Sequence, residues 1–353
     1  MARLTALAER LLTPHGLDRY LELIDPMLVR REIRGEVTDV RRQTAGTATL
    51  TLRPSRAWPG FRAGQHVRVT VDIDGVRRTR CYSPACSQYG GLLELTVKAE
   101  PHGLVSRHLR DAAVPGMVVG LSEPDGDFVL PARRPSRVLL ISGGSGITPV
   151  LSMLRTLADE NHDGEVVFLH YARQAKDVPY RAELAALAER PNITVALACT
   201  RSDDGDLRGR FSAEQLGAVA PWYRHAPAYA CGPAPLLEAV GAHYAAEGLS
   251  EQLHTEAFTA ALTVPDPAAA GGRVRFTRSG AETENSGRPL LEQAEEAGLR
   301  PEHGCRMGIC LSCTQLKASG TVRDIKTGAV SGEEDEQIQL CVSVPVGDVD
   351  IHC

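Results

Sequence analysis

Cys305, Cys310 and Cys313 stand at C-x4-C-x2-C spacing, and a fourth thiol, Cys341, follows after a long gap. Three thiolates in one tight loop and a fourth from elsewhere in the fold is the ligand pattern of a plant-type 2Fe–2S cluster. Gly304 and Gly308 sit where such a loop must fold its backbone close over an inorganic core. A structural zinc site is the alternative. Zinc ligands usually come as two short paired units, and Cys341 has no second Cys or His close before it. A chain with this pattern must close a small domain around residues 273–353.

The rest of the 353 residues is long enough for two further domains. Net charge runs unevenly: 19 Lys/Arg against 15 Asp/Glu over residues 1–133, 11 against 16 over 134–272, and 9 against 13 over 273–353. Such a balance gives no support to nucleic-acid binding. There is no long apolar run, and so no transmembrane span is expected. The first residues carry Glu9 and lack the apolar core of a secretory signal. Nine cysteines, four of them assigned to one cluster, point to a reducing compartment, the cytoplasm.

Residues 1–33 read as a helical extension, with Leu4, Leu7, Leu11 and Leu12 on one face and a second short helix over Leu17 to Ile24. Packing against the following domain is its expected role. From about residue 34 to 135 short β-branched runs alternate with turn residues such as Asp74-Gly75 and Gly90-Gly91, the signature of an antiparallel β-barrel. Inside it lies Arg80-Cys81-Tyr82-Ser83. A guanidinium for phosphate, a flat ring with a hydroxyl and a small hydroxyl for a ring heteroatom suit a flavin. Alone the string could equally be a strand with an exposed Arg. Thr96-Val97-Lys98 then ends a strand, and Gly103-Leu-Val105-Ser106 opens a helix whose amides could face a pyrophosphate.

Residues 136–262 alternate strands and helices, which implies a parallel α/β sheet. Its first strand, Arg137 to Ser142, runs into Gly143-Gly144-Ser-Gly146-Ile-Thr148-Pro149. Strand, glycine turn and helix make a nucleotide-binding unit, although the third glycine of the Rossmann fingerprint is missing. Pro149 suits a first helical position. Arg173, Thr200-Arg201 and Arg210 follow strands where ligands of such sheets bind, and so they are candidates for phosphate. Cys231-Gly232-Pro233 closes another strand with a small thiol at its tip. Residues 263–272, rich in Pro, Ala and Gly, read as a linker.

Taken together, Arg80-Cys81-Tyr82-Ser83, Gly103 to Ser106, Gly144 to Pro149, Cys231-Gly232-Pro233, His254-Thr-Glu256-Ala-Phe258 and the four cysteines resemble a ferredoxin–NADP reductase-type flavoprotein with a plant-type ferredoxin fused at its C-terminus. The resemblance covers roughly residues 35–353. It implies a flavin-binding barrel, a nucleotide-binding α/β domain and a β-grasp ferredoxin domain. It also implies roles. Arg80, Tyr82 and Ser83 would hold the flavin, with Ser83 near the reactive ring nitrogen. Val97, Gly103, Val105 and Ser106 would continue that site, beside Cys81 and Lys98. Thr148 and Cys231-Gly232 would face the nicotinamide, and Glu256 and Phe258 would close the flavin edge. FAD is implied before FMN. The segments Leu12-Thr-Pro-His and Tyr20 to Pro26 resemble reductases that serve fatty-acyl desaturases.

The implied activity passes electrons from NADPH, or NADH, through FAD and the 2Fe–2S cluster to a separate terminal oxygenase, desaturase or cytochrome P450. A monomer is expected, reaching a membrane only through its acceptor. Cationic Arg173, Arg201 and Arg210 favour NADPH, while Asp203 and Asp204 argue against it. Glu333 to Glu336 could be an acidic docking patch or a solvated loop. Flavin reduction of small molecules, and an iron–sulfur sensing module, are the competing readings.

Overall fold

The computed structural model describes residues 17–100, 103–258, 269–303, 306, 308 and 311–353. The chain divides into two compact units, one of residues 1–78 and 82–257, the other of 258–353, with which 79–81 are grouped.

In the first unit, α1 (Leu17–Ile24) precedes a six-stranded sheet. Its strands are β1 (Ile33–Thr44), β2 (Thr47–Pro54), β3 (Val67–Ile73), β4 (Val76–Tyr82), β5 (Leu93–Lys98) and, after helix α2 (Leu104–Ala112), β6 (Val118–Leu121). The order is β4-β3-β6-β1-β2-β5, antiparallel at β1–β2, β1–β6, β2–β5 and β3–β6. Alternate residues turn inward, so Val67, Val69, Val71 and Ile73 of β3 meet Leu93, Leu95 and Val97 of β5 in one core. The side chain of Arg34 is 9% exposed and pairs with Glu22 of α1 at 2.8 Å, which fastens this helix to the sheet. The helix proposed over Leu4 to Leu12 lies outside the described residues.

The second sheet of this unit is parallel throughout, in the order β10-β9-β8-β7-β11-β12. Its strands are β7 (Arg137–Gly143), β8 (Glu165–Ala172), β9 (Ile193–Cys199), β10 (Leu207–Arg208), β11 (Ala228–Gly232) and β12 (Leu253–Ala257). Helices α3 (Ile147–Asp159), α4 (Arg181–Leu187), α5 (Ala213–Val219) and α6 (Ala234–Ala246) connect them. The chain leaves β7 towards β8 on one side and returns to β11 on the other, so the carboxyl ends of β7 and β11 flank a topological switch point. Pro149 is the third residue of α3 rather than its first. That position also lacks a helical acceptor for an amide, so the missing N–H costs nothing there.

In the second unit, β13 (Arg273–Phe276), β14 (Ala281–Glu284), β15 (Thr314–Asp324), β16 (Val330–Ser331) and β18 (Ser343–Ile351) form a mixed sheet in the order β14-β13-β18-β15-β16, with β17 (Glu336–Gln339) paired to β15. Helix α7 (Leu290–Glu296) packs Leu290, Leu291 and Ala294 on it, in a core that includes Cys313 and Cys341. One helix on such a sheet is the expected β-grasp. Lys317 is fully buried in it. Its ammonium donates to the carbonyl oxygens of Gly320 and Glu333 and pairs with Glu336 at 3.2 Å. Glu336 is therefore committed inward, while Glu333, Glu334 and Asp335 of the acidic run stay exposed.

Candidate functional site

Glycines bring the ends of β7 and β11 together. A Cβ on Gly146 would lie 2.2 Å from the Cys231 carbonyl oxygen, and one on Gly143 would lie 2.7 Å from Leu236 and 3.0 Å from Pro233. Gly144 adopts φ +56°, a turn that favours glycine. Gly143 and Gly146 thus let the chain pack tightly between β7, β11 and Leu236, while at Gly144 nothing lies within 4 Å of where a Cβ would stand, which leaves its backbone open to a ligand. Thr148 is buried and its hydroxyl donates to the Ser145 carbonyl at 3.3 Å. Cys231 is fully buried, and burial, then the charge of Glu256, holds its thiol well above the ordinary value. Its strand neighbour in register is Glu256. Burial also pushes the Glu256 carboxyl up, an effect that His66 opposes.

Helix α3 ties this floor to the Tyr82-Ser83 segment. Ser152 donates to the Cys86 carbonyl at 2.6 Å, Arg155 to the Ala85 carbonyl at 2.8 Å, and the Gln88 amide donates to the Thr156 hydroxyl at 3.1 Å. The Ala85 amide bonds the Glu94 carbonyl at 2.8 Å. Ser83 is held just before these anchors, 2% exposed, and its hydroxyl has no partner among the described residues. A buried hydroxyl left so has room for an external partner. Tyr82 packs partly against the barrel core. Arg80 is half-buried, like Cys81, and donates to the Thr79 carbonyl at 2.6 Å.

Not every candidate presents its side chain. Val97 and Val105 point into the barrel core, and the Ser106 hydroxyl is engaged in its own turn, donating to the Gly103 carbonyl at 3.3 Å and accepting from the Glu100 amide at 3.2 Å. A Cβ on Gly103 would collide with that hydroxyl at 2.3 Å. What this segment can offer a ligand is the free amides of the first turn of α2. Lys98 is exposed. Phe258 is half-buried and follows β12.

At the far side of the parallel sheet, the Thr200 amide bonds the Ala172 carbonyl and the Arg201 amide bonds the Arg173 carbonyl, each at 2.9 Å, so Arg173 and Arg201 emerge side by side. Both are exposed, as is Arg210. The nearby acids are occupied. Asp203 pairs with Arg208 at 2.7 Å, and Asp204 accepts from the Ala175 amide at 3.2 Å and from Ser202.

In the second unit Cys313 is 1% and Cys341 4% exposed. The amide of Gly308, at φ +68°, donates to the Cys341 sulfur at 3.2 Å. Cys305 and Cys310 lie outside the described residues. Buried thiols met by a backbone N–H are a donor set suited to an iron–sulfur cluster.

Three domain families match the chain in order: an oxidoreductase FAD-binding domain over residues 35–130, an oxidoreductase NAD-binding domain over 140–241, and a 2Fe-2S iron-sulfur cluster binding domain over 274–346. An NADPH oxidoreductase of Mycobacterium tuberculosis is 40% identical over 98% of this chain and 90% of its own. The chain belongs to the family of iron–sulfur flavoprotein reductases. A glycine betaine monooxygenase reductase subunit of Pseudomonas aeruginosa is 32% identical over 82% of the reductase and 86% of its own length. The solved structure of phthalate dioxygenase reductase matches 91% of this chain and 97% of its own at TM-score 0.58 and 24% identity, a likeness of fold. The reductase thus carries FAD, a nicotinamide nucleotide and a 2Fe–2S cluster. The orphaned Ser83 hydroxyl, the glycine floor and the buried thiols fit these groups.

Sequence reasoning missed His66, Arg155, Tyr180 and Lys317. His66, Arg155 and Tyr180 gain their meaning from partners far along the chain, and Lys317 from carbonyls and a carboxylate that only the folding of β15 to β17 brings to it.

Proposed function

We propose that this reductase draws electrons from NADPH and delivers them to a separate terminal oxygenase, desaturase or cytochrome P450. FAD supplies the exchange between a two-electron hydride donor and a one-electron carrier, and the 2Fe–2S cluster, held by Cys305, Cys310, Cys313 and Cys341, supplies the one-electron exit. The observation that carries the reading is the bonding of α3 to residues 85–88, which makes the Ser83 segment and the glycine floor parts of one rigid seat.

In this reading Ser83 donates to the flavin ring, Tyr82 covers it, and Arg80 and the amides of residues 104–106 take its phosphates. Thr148 and Cys231-Gly232 shape the nicotinamide seat, where a protonated, uncharged thiol admits the ring without competing for it. Glu256 and Phe258 border the flavin edge. Arg173, Arg201 and Arg210 receive a 2′-phosphate, which is why NADPH is preferred. With Asp203 and Asp204 engaged elsewhere, the objection they raised falls away. The desaturase as acceptor rests on residues 12–26. Cysteine usage supports a cytoplasmic reductase, and a single copy of the chain holds every group named.

A Cys313→Ser variant separates this function from plain flavin reduction. It should keep NADPH-driven reduction of ferricyanide and lose transfer to cytochrome c. Retention of both would favour a small-molecule flavin reductase.

A further inference from the structure

His66, at the foot of β3, has both ring nitrogens buried without a hydrogen-bond partner among the described residues, and Glu256 Oε2 shares that state. These orphans lie together. His66 Nδ1 is 3.7 Å from Glu256 Oε1, with the side chains 8% and 14% exposed. The imidazole is pinned by its backbone, which exchanges two 2.9 Å hydrogen bonds with Asp125. It is also pinned by Gly126, where a Cβ would come within 3.1 Å of Nδ1. Gly126 has φ +110°, so a side chain there would be strained as well as crowded. Burying polar atoms without partners is costly, so three in one pocket call for a reason.

We propose that His66 is the positioning residue of Glu256: its imidazole orients the buried carboxyl and sets that group's proton content. This rests on the reading that Glu256 borders the flavin edge. Glu256 stands in register beside Cys231 on the sheet side and faces His66 on the barrel side. The Cys231 thiol, held well above its ordinary value, carries no charge with which to hold Glu256 ionised. Asp125 turns a carboxylate oxygen to the Gly126 amide at 2.8 Å. His66 is thus the neighbour able to favour the ionised form of Glu256. Burial pushes the carboxyl up and His66 pulls it back, so the two effects oppose one another on a side chain that is only 14% exposed. A lone buried carboxyl would stay protonated. Reaching from β3 to β12, the pair also spans the two sheets of the first unit.

The test uses the FAD-loaded protein labelled with ¹³C at glutamate side chains, without nucleotide. The Glu256 carboxyl resonance is assigned by its loss in Glu256→Gln and followed against pH. In His66→Leu its midpoint should rise by about one unit. In His66→Asn, whose amide nitrogen can stand in for Nδ1 beside the carboxyl, it should rise less. The pH profile of NADPH-driven flavin bleaching should move in the same direction in both variants. A purely structural His66 would lower stability or FAD content and leave the midpoint where it was. An unmoved midpoint in His66→Leu overturns the proposal. If that variant does not fold, an unmoved midpoint in His66→Asn overturns it equally. The underlying reading fails separately: Glu256→Gln that bleaches its flavin at the parental rate removes Glu256 from the reacting edge, whatever the titration shows.

Discussion

The guanidinium of Arg155 lies 4.8 Å from the ring centroid of Tyr180 while pairing with Glu94 and with Glu183, each at 2.6 Å. Tyr180 in turn places its hydroxyl 2.9 Å from that of Thr49 and against that of Thr96. This joins the barrel to the parallel sheet at a partly dry seam, and it holds the Ala85 carbonyl that anchors the Ser83 segment.

Removing one partner of a buried ion pair is far more costly than lacking the pair altogether. Arg155→Met should therefore cost roughly 3 kcal/mol in urea unfolding of the first unit. Tyr180→Phe, which removes only a hydroxyl, should cost about 1 kcal/mol. The rate of flavin bleaching by NADPH should fall about tenfold in Arg155→Met, because the seat shifts. Stopped-flow absorption checks it.

His170 is fully buried, hydrogen-bonded through Nδ1 to Ser142 at 2.9 Å, and burial pushes it down to about 4. Its ordinary value is about 6.5. The folded state thus refuses a proton that the unfolded state takes. Stability from this group is complete above pH ~6.5 and is lost as pH falls from there towards 4. Between pH 7 and 5 the loss should be about 2 kcal/mol. His170→Leu should remove that part of the slope while lowering the baseline, since Ser142 loses its partner. Urea midpoints at the two pH values measure both.

The cysteine spacing, the glycine turn and the strand–helix alternation were legible because each is local. The alternation read over residues 136–262 appears as parallel strands joined by helices at Ile147–Asp159, Arg181–Leu187 and Ala234–Ala246. The contacts that position the site were not legible. Arg155 meets Glu94 across 61 residues and Tyr180 meets Thr49 across 131. Asp204 read as a charge opposed to a 2′-phosphate, yet its carboxylate faces the Ala175 amide. A single sequence shows which residue is charged but not where it points.

Arg173, Arg201 and Arg210 have no side-chain partner among the described residues to compete for an anion. Arg201→Ala should lower kcat/KM for NADPH by 10- to 100-fold, about 1.4–3 kcal/mol, and leave NADH nearly unchanged. Equal losses with both nucleotides would move the arginine to a shared phosphate. Steady-state ferricyanide reduction with each nucleotide reads the difference.

A side chain at Gly308 would be strained at φ +68° and would meet Val342 at 2.9 Å. Gly308→Ala should loosen the loop that donates to Cys341 by about 1–2 kcal/mol. It should speed loss of the cluster's visible absorption in chelator and leave flavin bleaching by NADPH intact.

The most direct test of the electron path is anaerobic titration of the intact protein with NADPH, followed by visible absorption and low-temperature EPR. The account predicts that the flavin band bleaches and a reduced 2Fe–2S signal follows, with Cys313→Ser stopping at the flavin. A bleached flavin beside a cluster that is present but never reduced would contradict it.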